Sequence, residues 1–120
     1  MKYFFLFLIT VALASCNAEL PTDDTVKQMP EHLLSLEVFT ELYYDTQLTE
    51  AAIRVEIGKG AKAKEISKFL YEQLFKKYGI STEDFSDNIS YYASDPKQMS
   101  EIQTEVVNRL SKQESELTNQ

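Results

Sequence analysis

The sequence predicts an all-α fold: a small domain of about four helices, bundle-like or orthogonal, behind a signal peptide and a flexible tether. Three observations carry this. Apolar residues recur three and four positions apart over long stretches. Three Gly and three Pro in 120 residues leave little material for the turns of a multistranded sheet. Helix stop and start signals also fall at sharp places, notably around Gly79 and Asp95. With 43% hydrophobic and 26% charged residues, the chain suits one domain with a core of its own. Nineteen acidic against 12 basic residues give a net charge of −7, which argues against a nucleic-acid footprint and against adsorption to anionic lipid surfaces.

The first element is a leader. Met1-Lys2 supplies one positive charge, and Tyr3 to Ala14 (YFFLFLITVALA) follows as an uncharged apolar run too short to span a bilayer comfortably. It ends in Leu13-Ala14-Ser15-Cys16: an aliphatic residue, two small residues and the one cysteine of the chain, the order found in bacterial lipoprotein signals. Small side chains at Ala14 and Ser15 admit a peptidase to the backbone. The Cys16 thiol is the nucleophile that becomes a thioether to diacylglycerol. Cleavage is expected between Ser15 and Cys16, making residues 1–15 the signal peptide. Each buried methylene contributes about 0.8 kcal/mol and one acyl chain holds only marginally, so a multiply acylated cysteine is a lasting anchor. A plain secretory signal cut after Ala14 or Ala18 is the competing reading. Asn17 stands where an aspartate would retain an enterobacterial lipoprotein in the inner membrane. The outer membrane, with the domain facing the periplasm, is therefore expected.

Residues 16–29 are polar, carry Pro21 and lack an apolar period, and so read as a tether. The helical domain is expected over residues 30–113. From Glu31 to Ile57 the stripe Leu34, Val38, Leu42, Ala52, Val55 keeps helical spacing, widened by Phe39, Tyr43 and Ile53, with Glu50 and Arg54 as a flanking i,i+4 pair. Gly58-Lys59-Gly60 ends this helix; without a preceding strand or a Gly-Lys-Ser/Thr order it is a turn, not a phosphate loop. A second helix is expected from about Ala61 to Tyr78, with Ala63, Ile66, Leu70 and Leu74 inward and Lys68, Glu72 and Lys76 as an outer ladder. Gly79 suits a left-handed cap closed by Ile80. Ser81 and Asp84 form a capping box that opens a short helix with Phe85, Ile89 and Tyr92 inward. Asp95 then caps a last helix with Pro96 at its first position and Met99, Ile102, Val106 and Leu110 inward. Residues 114–120 lose the stripe and are expected to fray.

Within these helices a few residues stand out. Asp45 lies on the stripe of Leu34, Val38, Leu42 and Ala52, where an ionised carboxylate has to be paired. It serves either a structural network, accepting from a Tyr hydroxyl, a helix N-terminus or Arg109, or a polar groove for a partner peptide. The adjacent pairs Tyr43-Tyr44 and Tyr91-Tyr92 each spread over about 100° of helix surface and cannot be wholly buried; they either edge the core or form a contact surface. From Arg54 to Lys77 seven basic residues meet three acidic ones, a local net of +4. That run is a solvated face, or else a surface for an acidic partner or lipid phosphates. His32 is the one histidine and has no second histidine with which to build a His-Glu-x-x-His zinc site.

The lipidation motif, Tyr43 to Ile53 (YYDTQLTEAAI), Leu70 to Ser81 (LYEQLFKKYGIS) and Asp84 to Ile102 (DFSDNISYYASDPKQMSEI) together resemble a family of small envelope lipoproteins of unknown function found in Bacteroidota. Asp45, Glu50, Ala51, Gly79, Phe85, Tyr91, Tyr92 and Pro96 carry the likeness, which implies an envelope lipoprotein and no activity. No enzymatic role, cofactor, metal, nucleic acid or small-molecule substrate is expected. The expected role is that of a lipid-anchored accessory module in an outer-membrane assembly. It would bind an envelope protein through Tyr43, Tyr44, Tyr91 and Tyr92, with Asp45 in support. A peptidoglycan-binding or wall-active protein is the alternative.

Overall fold

The computed structural model describes residues 29–119. The leader of residues 1–15, Cys16 and the tether up to residue 28 lie outside the described residues. Four helices, with no strand among the described residues, follow one another: α1 (Leu36–Gly58), α2 (Ala63–Tyr78), α3 (Thr82–Ala93) and α4 (Pro96–Thr118). The domain is all-α.

Local chemistry sets most boundaries. Ser35, in an extended conformation, accepts from the Val38 N–H and so starts α1 at Leu36, five residues later than the apolar pattern alone suggested. The turn after Gly58 uses Gly60 at φ 101°, a left-handed conformation that costs glycine nothing. α2 ends on Gly79 at φ 64°, with Ile80 N–H bonding Phe75 O at 3.1 Å and the Ile80 side chain packing against the Leu42–Leu74–Phe75 cluster. The capping box of α3 is complete: Ser81 Oγ accepts from Asp84 N–H at 3.0 Å, and Asp84 Oδ2 accepts from Ser81 N–H at 2.8 Å. Asp95 accepts from Lys97 and Gln98 N–H at the head of α4, with Pro96 in the first turn.

The end of α4 departs from expectation. Residues 114–118 stay helical although Ser111 to Asn119 are exposed, because side chains occupy the last carbonyls. Thr118 Oγ1 donates to Glu114 O at 2.6 Å and Asn119 Nδ2 to Ser115 O at 2.8 Å.

α1 and α2 form an antiparallel hairpin, while α4 runs alongside α1 in the same direction, with Glu41 meeting Arg109 and Tyr44 meeting Gln113. Phe39, Tyr92 and Ile102 form one buried cluster; Leu42, Leu74 and Phe75 form another; Leu34 packs against both. The buried face of α1 is Phe39, Leu42, Thr46 and Ile53, whereas Val38 and Val55 are exposed at 40% and 55% and Ala52 lies in solvent. Leu42 and the flanking Phe39 and Ile53 of the expected face are buried, and Thr46 joins them. Thr46 is buried because its hydroxyl donates to Leu42 O at 2.7 Å and needs no water. In α2 the inner face is likewise Tyr71, Leu74, Phe75 and Tyr78, with Ala63 exposed and Ile66 and Leu70 half-buried. Large rings claimed the contact with α1. Of the charge ladder, Lys68–Glu72 forms at 3.8 Å, and Glu50 accepts from Tyr71 rather than pairing with Arg54.

The segment before α1 is held by Asn88, which is wholly buried. Its Oδ1 accepts from Leu34 N–H at 2.8 Å, and its Nδ2 donates to His32 O at 2.9 Å and Asp84 O at 2.8 Å. Tyr92 adds a hydroxyl bond to Leu34 O at 2.6 Å. Asn88→Ala leaves the Leu34 amide without a partner beside a new void, a loss of about 3 kcal/mol. The melting midpoint, followed by circular dichroism, is expected to drop by roughly 10–20 °C for a domain of this size. Exposed Asn108→Ala is the control, expected to move the midpoint by no more than about 0.5 kcal/mol equivalent.

Candidate interaction surface

The five residues marked out in the sequence separate into distinct surroundings. Asp45 faces α2, its side chain 18% exposed, and Oδ2 accepts from the Tyr78 hydroxyl at 2.6 Å and from Lys77 Nζ. Burial pushes its carboxyl up, but the Lys77 and Tyr78 hydrogen bonds outweigh that and hold it below the usual carboxylate range. The Tyr78 phenol is pushed up in turn, by burial first and then by the Asp45 carboxylate. One turn and more along, Glu50 accepts from Tyr71, whose phenol burial and then Glu50 raise to about 12. Two carboxylate–phenol pairs thus stitch α1 to α2.

Arg109 does not reach Asp45. It makes a two-pronged contact with Glu41, at 2.7 and 3.0 Å, and its guanidinium lies 4.3 Å from the Tyr44 ring centroid. The Tyr44 hydroxyl donates to Gln113 Oε1 at 2.7 Å. Tyr44 therefore clasps α1 to α4.

Tyr92 is withdrawn from the contact set. Only 4% exposed, it stacks on Phe39 with ring centroids 4.2 Å apart and donates its hydroxyl inward to Leu34 O. Of its pair, Tyr91 stays half-buried and meets Tyr92 edge-on at 5.3 Å. Tyr43, also half-buried, lies 6.2 Å from the Phe39 ring. Both pack against the Phe39–Tyr92–Ile102 cluster, so α1 and α3 bring Tyr43 and Tyr91 to the edge of one core.

Two features had no sequence signal. Asn88 was a polar residue in a short helix, indistinguishable from a solvated one. His32 Nδ1 lies 2.9 Å from Asp84 Oδ1, tying the entry segment to the capping box. The Asp84 carboxyl is held low, first by the Ser81 backbone N–H, then by the Ser81 hydroxyl and His32. Among the described residues no helix is long and apolar enough to cross a membrane.

Residues 30–116 match the sequence profile of a family described as a Domain of unknown function (DUF4296). No curated protein and no solved structure matches the chain.

The carboxyl of Asp45 binds its proton less tightly in the folded chain than in the unfolded one, where it titrates near about 3.9. Its pairing therefore adds stability above that value and loses it as pH falls through the lower folded value. Glu41, held low by Arg109, and Asp84 act in the same direction. Thermal melts from neutrality down into the acid range are expected to show a fall in midpoint that is shallower in Asp45→Asn than in the wild type. Parallel slopes would remove Asp45 from the acid response. At the alkaline end, absorbance titration of the 7 tyrosines is expected to show a late-ionising phenol near 12 that Tyr71→Phe abolishes.

Proposed function

The chain belongs to the DUF4296 family, and on that premise we propose that it is a lipid-anchored envelope lipoprotein of the Bacteroidota kind, acting as an accessory interaction module of an outer-membrane assembly. The observation that carries the reading is Leu13-Ala14-Ser15-Cys16, placed 14 residues ahead of the family's domain at Pro30. That interval is at most about 50 Å of extended chain, so an anchored domain works close to the membrane. The kind of work follows from the surface. Tyr43 and Tyr91 offer rigid rings with polar tips at one core edge. Nine large apolar side chains among the described residues are exposed, from Met29 ahead of α1 to Leu117 on α4.

A C-terminally tagged chain, solubilised from membranes in mild detergent, is expected to bring down one membrane-protein partner. Tyr43→Ala/Tyr91→Ala is expected to lose that partner while keeping a cooperative melt. Cys16→Ser is expected to leave the membrane fraction. Recovery of the bare chain even after cross-linking, together with sedimentation on purified peptidoglycan, would replace the adaptor reading by a wall-binding one.

A further inference from the structure

We propose that the outer face of α2, with the turn that leads into it, is a docking surface for an anionic phospholipid bilayer, and that it sets how the anchored domain lies on the membrane. This rests on the lipid-anchor reading for its proximity to lipid and on the structure for its surface. Tyr71, Leu74, Phe75 and Tyr78 turn α2 toward α1 and the core. Ile66, Phe69 and Leu70, three and four residues apart, share another face that neither buried cluster includes. Phe69 is 55% exposed there, and Ile66 and Leu70 are half-buried. Lys62 precedes Ile66 by four positions and Lys76 follows Phe69 by seven, so the same face carries a lysine at each end, with Glu65, four positions before Phe69, paired to Lys62 at 3.1 Å.

Charge complementarity names the occupant. From Arg54 to Lys77 the chain is net +4, within a protein that is net −7 overall. Lys59 in the turn and Lys62 at the head of the helix have exposed side chains, at 66% and 79%, and their bonds to Glu56 and Glu65 are surface pairs that salt and solvent weaken. The free molecule has no net attraction to an anionic surface, but a tethered one can present only its basic side.

The residue types favour lipid over an acidic protein. Six of the seven cations are lysine, a residue depleted from protein interfaces, where arginine forks are preferred. Long lysine stems around an apolar centre with an exposed phenylalanine let the ring enter the acyl boundary while the ammonium groups stay at phosphate level.

The chain has no tryptophan, so Phe69→Trp makes a single reporter. Full-length lipidated Phe69→Trp protein is mixed with vesicles of phosphatidylcholine alone, or with phosphatidylglycerol added, each with and without brominated acyl chains. Blue-shifted emission, quenched by bromine only in the anionic vesicles, is expected. The added Lys62→Glu/Lys76→Glu pair is expected to cut the quenched fraction several-fold, with the helical circular dichroism unchanged. Equal quenching in neutral vesicles, or none in anionic ones, overturns the proposal. So does a blue shift that needs only concentrated protein without vesicles, which would seat a second copy on the face. Flotation with neutral vesicles reads the anchor separately. A chain that floats on anionic vesicles with its reporter indole unquenched keeps the anchor and loses the face; one that does not float on neutral vesicles, yet is quenched on anionic ones, keeps the face and loses the anchor.

Discussion

The buried amide of Asn88 decides how the helices of this domain meet. A carboxamide has two donors and an acceptor with two lone pairs, and here it spends them on backbone groups of two separate segments: His32 and Leu34 before α1, and Asp84 in α3. Leu34 is thereby fixed at the seam where both apolar clusters touch it. Without that capture the first residues of the domain would have unpaired backbone groups in an apolar setting, and the clusters of Phe39 and Leu42 would lose their common lid. The aromatic stack of Tyr92 on Phe39 works in the same place, since its hydroxyl takes the carbonyl of the residue whose N–H Asn88 takes.

Polar ties matter here because the apolar core is small. Eight hydrophobic side chains are buried among the described residues. A domain of this size buries only about 60% of the surface its unfolded chain exposes, so packing alone leaves a thin margin. The α1–α2 hairpin is accordingly seamed by Glu50–Tyr71 and Asp45–Tyr78, and α1–α4 by Glu41–Arg109 and Tyr44–Gln113. Charged partners tune the first of these seams: Lys77 offsets what burial costs the Asp45 carboxylate. A seam of this type is strongest near neutrality, because acid protonates the carboxylates and alkali ionises the phenols.

What was legible in the sequence was local, and what was not was pairwise. Ser81 with Asp84, Gly79 with Ile80, and Asp95 with Pro96 act within five residues of themselves, so their chemistry could be named before any fold was known. The number and type of helices followed from them. Asn88 gave no such signal because its partners lie 54 and 56 positions away. Tyr92 was assigned both to the core and to a contact surface, since adjacency to Tyr91 constrains the pair and not its members. Asp45 reads in the sequence as a carboxylate needing partners, and one of the expected kinds, a Tyr hydroxyl, is there in Tyr78, beside Lys77, on a face of α2 rotated from the expected one. The buried face of α2 runs through Tyr71 and Tyr78, which stand outside the expected stripe of Ala63, Ile66, Leu70 and Leu74.

The same rotation explains why α2 has surface to spare. When a helix packs through aromatic residues with hydroxyl tips, those tips must end on acceptors, and Glu50 and Asp45 supply them from one helix only. Tyr71 and Tyr78, seven positions apart, therefore lock α2 to α1 at two points and leave no rotational freedom to bury Ile66 and Leu70 as well. Burying those residues instead would strand two carboxylates in a closing interface, a larger loss than leaving aliphatic groups half in water. The exposed edge of α2 is thus a consequence of how the polar seam is satisfied. Any partner or surface that covers it adds apolar burial to a domain whose internal contacts are already committed.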